Sequence, residues 1–236
     1  MSRAEPASLP VAPTLRGALR LAAGDFYYHS VRLVPVNAVW GVVFAVLFLA
    51  SVRAPAVLVL TGVLGLPTLA LFRVAGGIVR GGSVEVWDGV REARRRPLAA
   101  IGGALVAALV ALVLVVNVLL GLVNPGIVGW TLFTMAVWGL FVLWTGALAF
   151  WALLADPGRH RGVRAATRLA ALLLVAHPVR LGAFGLLAGV LAIVSTVMIL
   201  PILTISVAFI ALLACHFVLP AGDRLEAALE ARHQPA

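Results

Sequence analysis

The 236-residue chain has no lysine, and charged residues make up only 11% of it. Soluble domains carry roughly 25% charged residues. With 63% hydrophobic residues and a mean hydropathy of +1.10, the chain lacks the polar surface a water-soluble fold needs and belongs in a bilayer. Cys215 is the single cysteine, so an internal disulfide is excluded, and it reads as a small core hydrophobe. The missing lysine also excludes a phosphate-binding P-loop in "GGIVRGGS", which has the glycines but not the Walker lysine. A secretory leader is not expected either. Residues 1–13 hold three prolines and no apolar core segment, and they read as a disordered tail.

The uncharged runs are what the chain has in abundance. Twenty such residues separate Arg32 from Arg53, and nineteen separate Arg53 from Arg73. A run of 59 follows Arg96, and one of 42 follows Arg180. At ~1.5 Å per residue and ~30 Å of hydrocarbon, each long run holds two helices. "VNPGIVGW" divides the first by its Asn-Pro-Gly turn signal, and the neighbourhood of Pro201 divides the second. The expectation is an all-α polytopic bundle in one domain, 14–230, with six spans and a short tail at 231–236. The spans are placed at about 33–52, 54–72, 98–122, 129–154, 181–198 and 202–220.

With six spans, 17 of the 18 arginines fall on one side and only Arg53 on the other. The positive-inside rule puts that side, and both termini, in the cytoplasm. The net charge of +9 therefore reports orientation and phospholipid contact, not nucleic acid.

One charged phrase occurs twice. "RLAAGDFYYHSVRL" (20–33) and "RLAALLLVAHPVRL" (168–181) agree at eight of fourteen positions. Each lies directly before a span. "SVEVWDGVREARRRPLAA" occupies the corresponding place before span three, with Arg96-Pro97 matching His177-Pro178. The pattern suggests three parallel units, each an interfacial amphipathic helix followed by a transmembrane hairpin. Ser83 reads as the cap of the middle helix, with Val86, Trp87, Val90 and Ala93 on its apolar side and Glu92–Arg96 as an i,i+4 pair. Asp156 followed by Pro157 reads as the start of the next, with Arg161, Arg164 and Arg168 on one face.

Residues for chemistry are sparse. The expected span interiors hold no Asp, Glu, Lys or Arg; Asn37 lies early in span one, and only Asn117 lies deep, in span three. His29, His177 and His216 lack the spacing of a metal site. "HSVRL" offers no nucleophile with a base, and "AFWALLADP" has a single acid. Neither a cofactor, a metal nor an enzymatic activity is expected. Two kinds of site remain. Trp87, Arg94, Arg95, Arg96, Arg161, Arg164 and Arg168 form an arginine-rich face suited to a partner or lipid. His29, Arg32, Asn37, Asn117, His177 and Arg180 could line a vestibule, the site of an alternative small-solute transporter or channel.

Six stretches resemble a known family. "FYYHSVRLVPVNAVWG", "LPTLALFRVAGGIVRGG" with the following "VWDGV", "NPGIVGW" with "WGLFVLW", and "LTISVAFIALLACHFVLPAGDRLEA" resemble the YesL-type family, in its actinobacterial branch. That is a bacterial membrane domain of unknown function. The likeness covers most of residues 14–230, with arginine alone in place of the family's mixture of lysine and arginine. It implies a non-enzymatic inner-membrane protein that serves as an accessory or scaffold beside a carbohydrate transport system. Expected partners are the membrane, transport-complex subunits and a second copy of the chain.

Overall fold

The computed structural model describes residues 14–124, 126–197 and 205–233. The expected tail at 1–13 and the break between the last two spans, at 198–204, lie outside them. The described residues form helices and no strand, in the order α1 (Leu15–Arg53), a 3₁₀ segment (Pro55–Leu64), α2 (Gly65–Val79), α3 (Val86–Arg95), α4 (Pro97–Val123), α5 (Ile127–Leu154), α6 (Val163–Ala176), α7 (Pro178–Val197) and α8 (Val207–His233). Six of these stretches are long and apolar enough to cross a membrane. α4, at 27 residues, spans about 40 Å at the α-helical rise.

Leu109, Val113 and Leu120 of α4, Val46 and Leu49 of α1, and Trp138 of α5 all face outward. A surface this apolar is an interaction liability in water and the natural exterior in lipid. The chain is a multi-pass integral membrane protein. The core lies around α2 and α8, where Leu69, Leu71 and Val74 meet Leu212, Leu213 and Leu219. Leu153 and Leu154 of α5 close one side, and Phe184 of α7 stacks on Phe217 at 5.3 Å.

Two of the three charged phrases mark helix breaks of nearly the same backbone geometry, and the other marks a kink. Arg96 (φ −130°, ψ 50°) ends α3 and starts α4, and His177 (φ −135°, ψ 54°) ends α6 and starts α7. In each case the residue's N–H closes the amphipathic helix, to Glu92 O or Leu173 O, while its carbonyl accepts the first bond of the span, from Ala100 N or Leu181 N. A following proline steers its predecessor out of the α region, which accounts for both. At His29 (φ −114°, ψ 16°) the next residue is Ser30, so α1 is kinked but continuous. The architecture is thus three amphipathic segments, each leading into a pair of spans.

Several boundaries differ from those expected. α2 continues through Arg73 to Val79, so a guanidinium does lie in a span helix; Arg73 Nη1 reaches Ala155 O at 3.4 Å. Its long stem allows the charge to leave the apolar zone. Span two begins as 3₁₀, not α, and α8 runs on past residue 220 to His233. α3 starts at Val86 with Glu85 as its N-cap, not at Ser83, because the Asp88 carboxylate accepts from Glu85 N at 2.9 Å. Asp156 caps no helix: α6 begins only at Val163.

Polar groups inside the spans serve the joints between helices. Asn37, fully buried on α1, accepts from Ala208 N at 2.7 Å and so satisfies one of the free N–H groups that open α8. Trp40 Nε1 donates to Thr68 Oγ1 at 2.9 Å, and Trp144 Nε1 to Gly185 O at 3.1 Å. At Gly185 a Cβ would stand 2.1 Å from Thr145 Oγ1, so only glycine lets α7 approach α5 this closely. Asn37→Leu is expected to lower stability by about 1–3 kcal/mol, the cost of an unsatisfied buried donor. Thermal unfolding of the purified protein in detergent checks it; an unchanged midpoint would remove Asn37 from the α1–α8 joint.

Candidate functional site

The arginine-rich end assembles from four segments: the N-terminal half of α1, the turn at 80–85 with α3, the 155–162 loop with α6, and the last turns of α8. Its centre is Asp156, 1% exposed, just beyond the end of α5. The carboxylate accepts from Arg80 Nε (3.1 Å) and Nη2 (2.8 Å), Arg161 Nη1 (2.8 Å) and its neighbour Gly158 N (2.9 Å). Arg161, 6% exposed, also donates to both Glu226 oxygens at 2.8 Å. Arg80 donates to Asp223 at 2.6 and 3.1 Å, and Arg159 pairs with Asp223 and Glu226.

Three guanidiniums thus meet three carboxylates, and the lattice is neutral. Burial on its own would push the Asp156 carboxyl up, but the hydrogen bonds from Arg80, Gly158 and Arg161 hold it below the ordinary carboxylate value. Bonds from Asp223 and Asp156 hold the Arg80 guanidinium above its usual range. Arg161 goes the same way: burial disfavours its charge, and Glu226 and Asp156 more than restore it. A carboxylate fixed in its ionised form between two arginines is a poor general acid or base near neutral pH. It is well suited to clamping α2, the 155–162 loop and α8 into one rigid platform.

α3 rests on this platform through one face. Gly89, Glu92 and Ala93 are buried, and a Cβ at Gly89 would stand 2.6 Å from Ala70 O, so α3 lies directly on the α2 backbone. Glu92 pairs with Arg96 at 3.1 Å, as the spacing predicts, and Arg96 Nη1 also donates to Arg161 O at 2.9 Å. That bond ties the end of α3 to the start of α6.

The residues expected on the arginine-rich face therefore divide. Trp87, 63% exposed, projects from α3 with Arg94 and Arg95, not toward the bundle. Arg164 and Arg168 project from α6. Among the described residues none of these four arginines makes an ion pair. Arg96 and Arg161 are instead engaged internally, and Arg161 precedes α6 rather than sharing its face.

The residues of the expected vestibule also divide. His177 and Arg180 line one cavity between α7 and α8. Asn37 is committed to Ala208, and Asn117 is half-buried on α4. His29 sits at the kink of α1, and Arg32, one turn later, is exposed. His216 pairs with Asp25 at 2.8 Å, joining α8 to the start of α1. Among the described residues no group of three His, Cys, Asp or Glu stands close enough to hold a metal ion.

Sequence reasoning missed Arg80, Arg159, Asp223 and Glu226. A signal existed: the chain has nine acidic residues, and Asp156, Asp223 and Glu226 all follow outward-to-inward spans on the arginine-rich side. Acids so scarce, placed among arginines, are pairing candidates.

No family model matches the chain, and no curated protein and no solved structure is significantly similar to it. The membrane class therefore rests on the six apolar helices and their apolar exterior.

Proposed function

We propose that the protein is a non-enzymatic accessory or scaffold protein of the bacterial cytoplasmic membrane, of the YesL type, standing beside a carbohydrate transport complex. Its arginine-rich end faces the cytoplasm and docks an acidic surface of a transport subunit. The observation that supports this reading is the division of the arginines. One set is spent on a rigid internal lattice, while Arg94, Arg95, Arg164 and Arg168 stand outward without acidic partners among the described residues. Trp87 adds a large exposed apolar anchor on the same helix as Arg94 and Arg95. Tryptophan and arginine are the residues most often found at the energetic centre of protein interfaces.

The polar residues of the spans support a scaffold over a carrier. Asn37, Trp40, Thr68 and Trp144 bond across helix joints, and Ser206 Oγ donates to Ser195 Oγ at 2.6 Å. The orientation follows the positive-inside rule. The test is capture of the tagged protein from native membranes after gentle crosslinking, read by mass spectrometry. Recovery of permease or ATPase subunits of a sugar transporter is the expected result. Recovery of the protein alone, with solute flux in reconstituted vesicles, would replace the scaffold with a transporter.

A further inference from the structure

A cavity of about 290 Å³ opens between the first turn of α7 and the last turns of α8. His177, Arg180 and Arg224 line it together with Leu181, Phe217 and Leu225. We propose that it binds a phosphate group, carried by an anionic phospholipid whose glycerol and acyl portion lies on the apolar floor.

No acid among the described residues pairs with the charge in the cavity. Arg224 is flanked in sequence by Asp223 and Glu226, yet both acids turn to Arg80, Arg159 and Arg161. Neither Arg180 nor Arg224 forms an ion pair among the described residues. Arg224 Nε is buried without a hydrogen-bond partner among the described residues. A buried donor without an acceptor is unfavourable in a finished structure and signals a missing partner. Two guanidiniums give the planar, multidentate donor set that matches phosphate oxygens.

The floor selects the carrier. Leu181 and Phe217 are buried at its base, while Ala221, Leu225 and Ala228 of α8 leave apolar surface open in the cavity beside Arg180. A small hydrated phosphate would leave that apolar floor wet. A phospholipid covers it while its phosphate meets the arginines, the arrangement of a basic pocket between span helices at the headgroup level.

The test uses the full chain, purified in detergent and examined by native mass spectrometry with phosphatidylglycerol, phosphatidylcholine and glycerol 3-phosphate as probes. The wild type is expected to retain phosphatidylglycerol over phosphatidylcholine. Arg180→Gln/Arg224→Gln is expected to lower that retention about tenfold, with the bound glycerol 3-phosphate negligible throughout. Arg94→Gln/Arg95→Gln removes the same charge outside the cavity and is expected to retain the lipid. Glycerol 3-phosphate that binds with the same dependence on Arg180 and Arg224, and displaces phosphatidylglycerol, would keep the phosphate site but overturn the lipid as its carrier. Equal losses in both double variants, or undiminished retention in Arg180→Gln/Arg224→Gln, would overturn the site itself. If that double variant does not fold, Arg180→Gln alone serves, because its side chain is exposed; unchanged retention there would also overturn the proposal.

Discussion

Asp156→Asn is expected to produce the largest loss of stability of any single substitution at the arginine-rich end. The change keeps the shape of the side chain but removes the charge between Arg80 and Arg161. Arg161 is 6% exposed, so it is left as a buried cation answered by Glu226 at 2.8 Å and by Asp223 only at 3.6 Å, and the lattice carries one positive charge too many. Breaking one partner of a buried pair costs about 3–5 kcal/mol. For a chain of this size that corresponds to a fall in melting temperature on the order of 10 °C. Arg168→Gln, on an exposed face, is expected to be silent by the same measurement. Asp156→Asn/Arg161→Gln is expected to recover part of the loss, because the stranded charge is then gone.

The acid side carries a pH signature. The folded Asp156 carboxyl is held below its ordinary value, so its contribution is complete at any pH above the unfolded carboxyl pKa, about 3.9. It is lost as the pH falls through the lower folded value. The melting-temperature gap between wild type and Asp156→Asn should therefore be constant from neutral pH down to about 4 and narrow below it. A gap that narrowed as the pH rose would contradict the lattice.

The second large effect concerns function. Arg94→Gln/Arg95→Gln, with Trp87→Ala, is expected to lower the crosslinked recovery of transport subunits at least tenfold, leaving the melting temperature within about 1 °C of wild type. These three side chains point away from the bundle and support nothing beneath them. Arg96 is excluded from that set for a physical reason. It holds Glu92 and the Arg161 carbonyl, so Arg96→Gln is expected to lower stability as well as binding, by freeing buried Glu92. Full recovery of partners with the outward triple variant would remove α3 as the docking element.

The spans were readable because hydrocarbon thickness and charge exclusion act locally along the chain. The run bounded by Arg96 and Asp156 became a helix pair, as its Asn-Pro-Gly turn signal indicated, with Gly126 at φ 123° opening α5. The charged phrases located two helix breaks, at Arg96 and His177, for a similarly local reason, since Pro97 and Pro178 act on their immediate predecessors. The errors came where a side chain answers to something distant. Arg73 was taken as the end of a span, yet its length lets α2 continue beneath it. Asp156 had the composition of a helix cap, but its partners Arg80 and Arg161 lie 76 and 5 residues away. Arg80 and Asp223 are 143 residues apart. Pairing of that kind is decided by how α2, α5 and α8 pack, not by local spacing.

The docking account depends on which side of the membrane the arginine-rich end occupies. Ser83→Cys, in the turn before α3, and Ser51→Cys, near the far end of α1, can be placed separately in a Cys215→Ala background. Both serine positions lie outside the core. Intact cells treated with a membrane-impermeant maleimide should label Ser51→Cys and spare Ser83→Cys, with Ser83→Cys becoming reactive once the cells are permeabilised. Labelling of Ser83→Cys in intact cells would put the exposed arginines outside the cytoplasm and contradict the account.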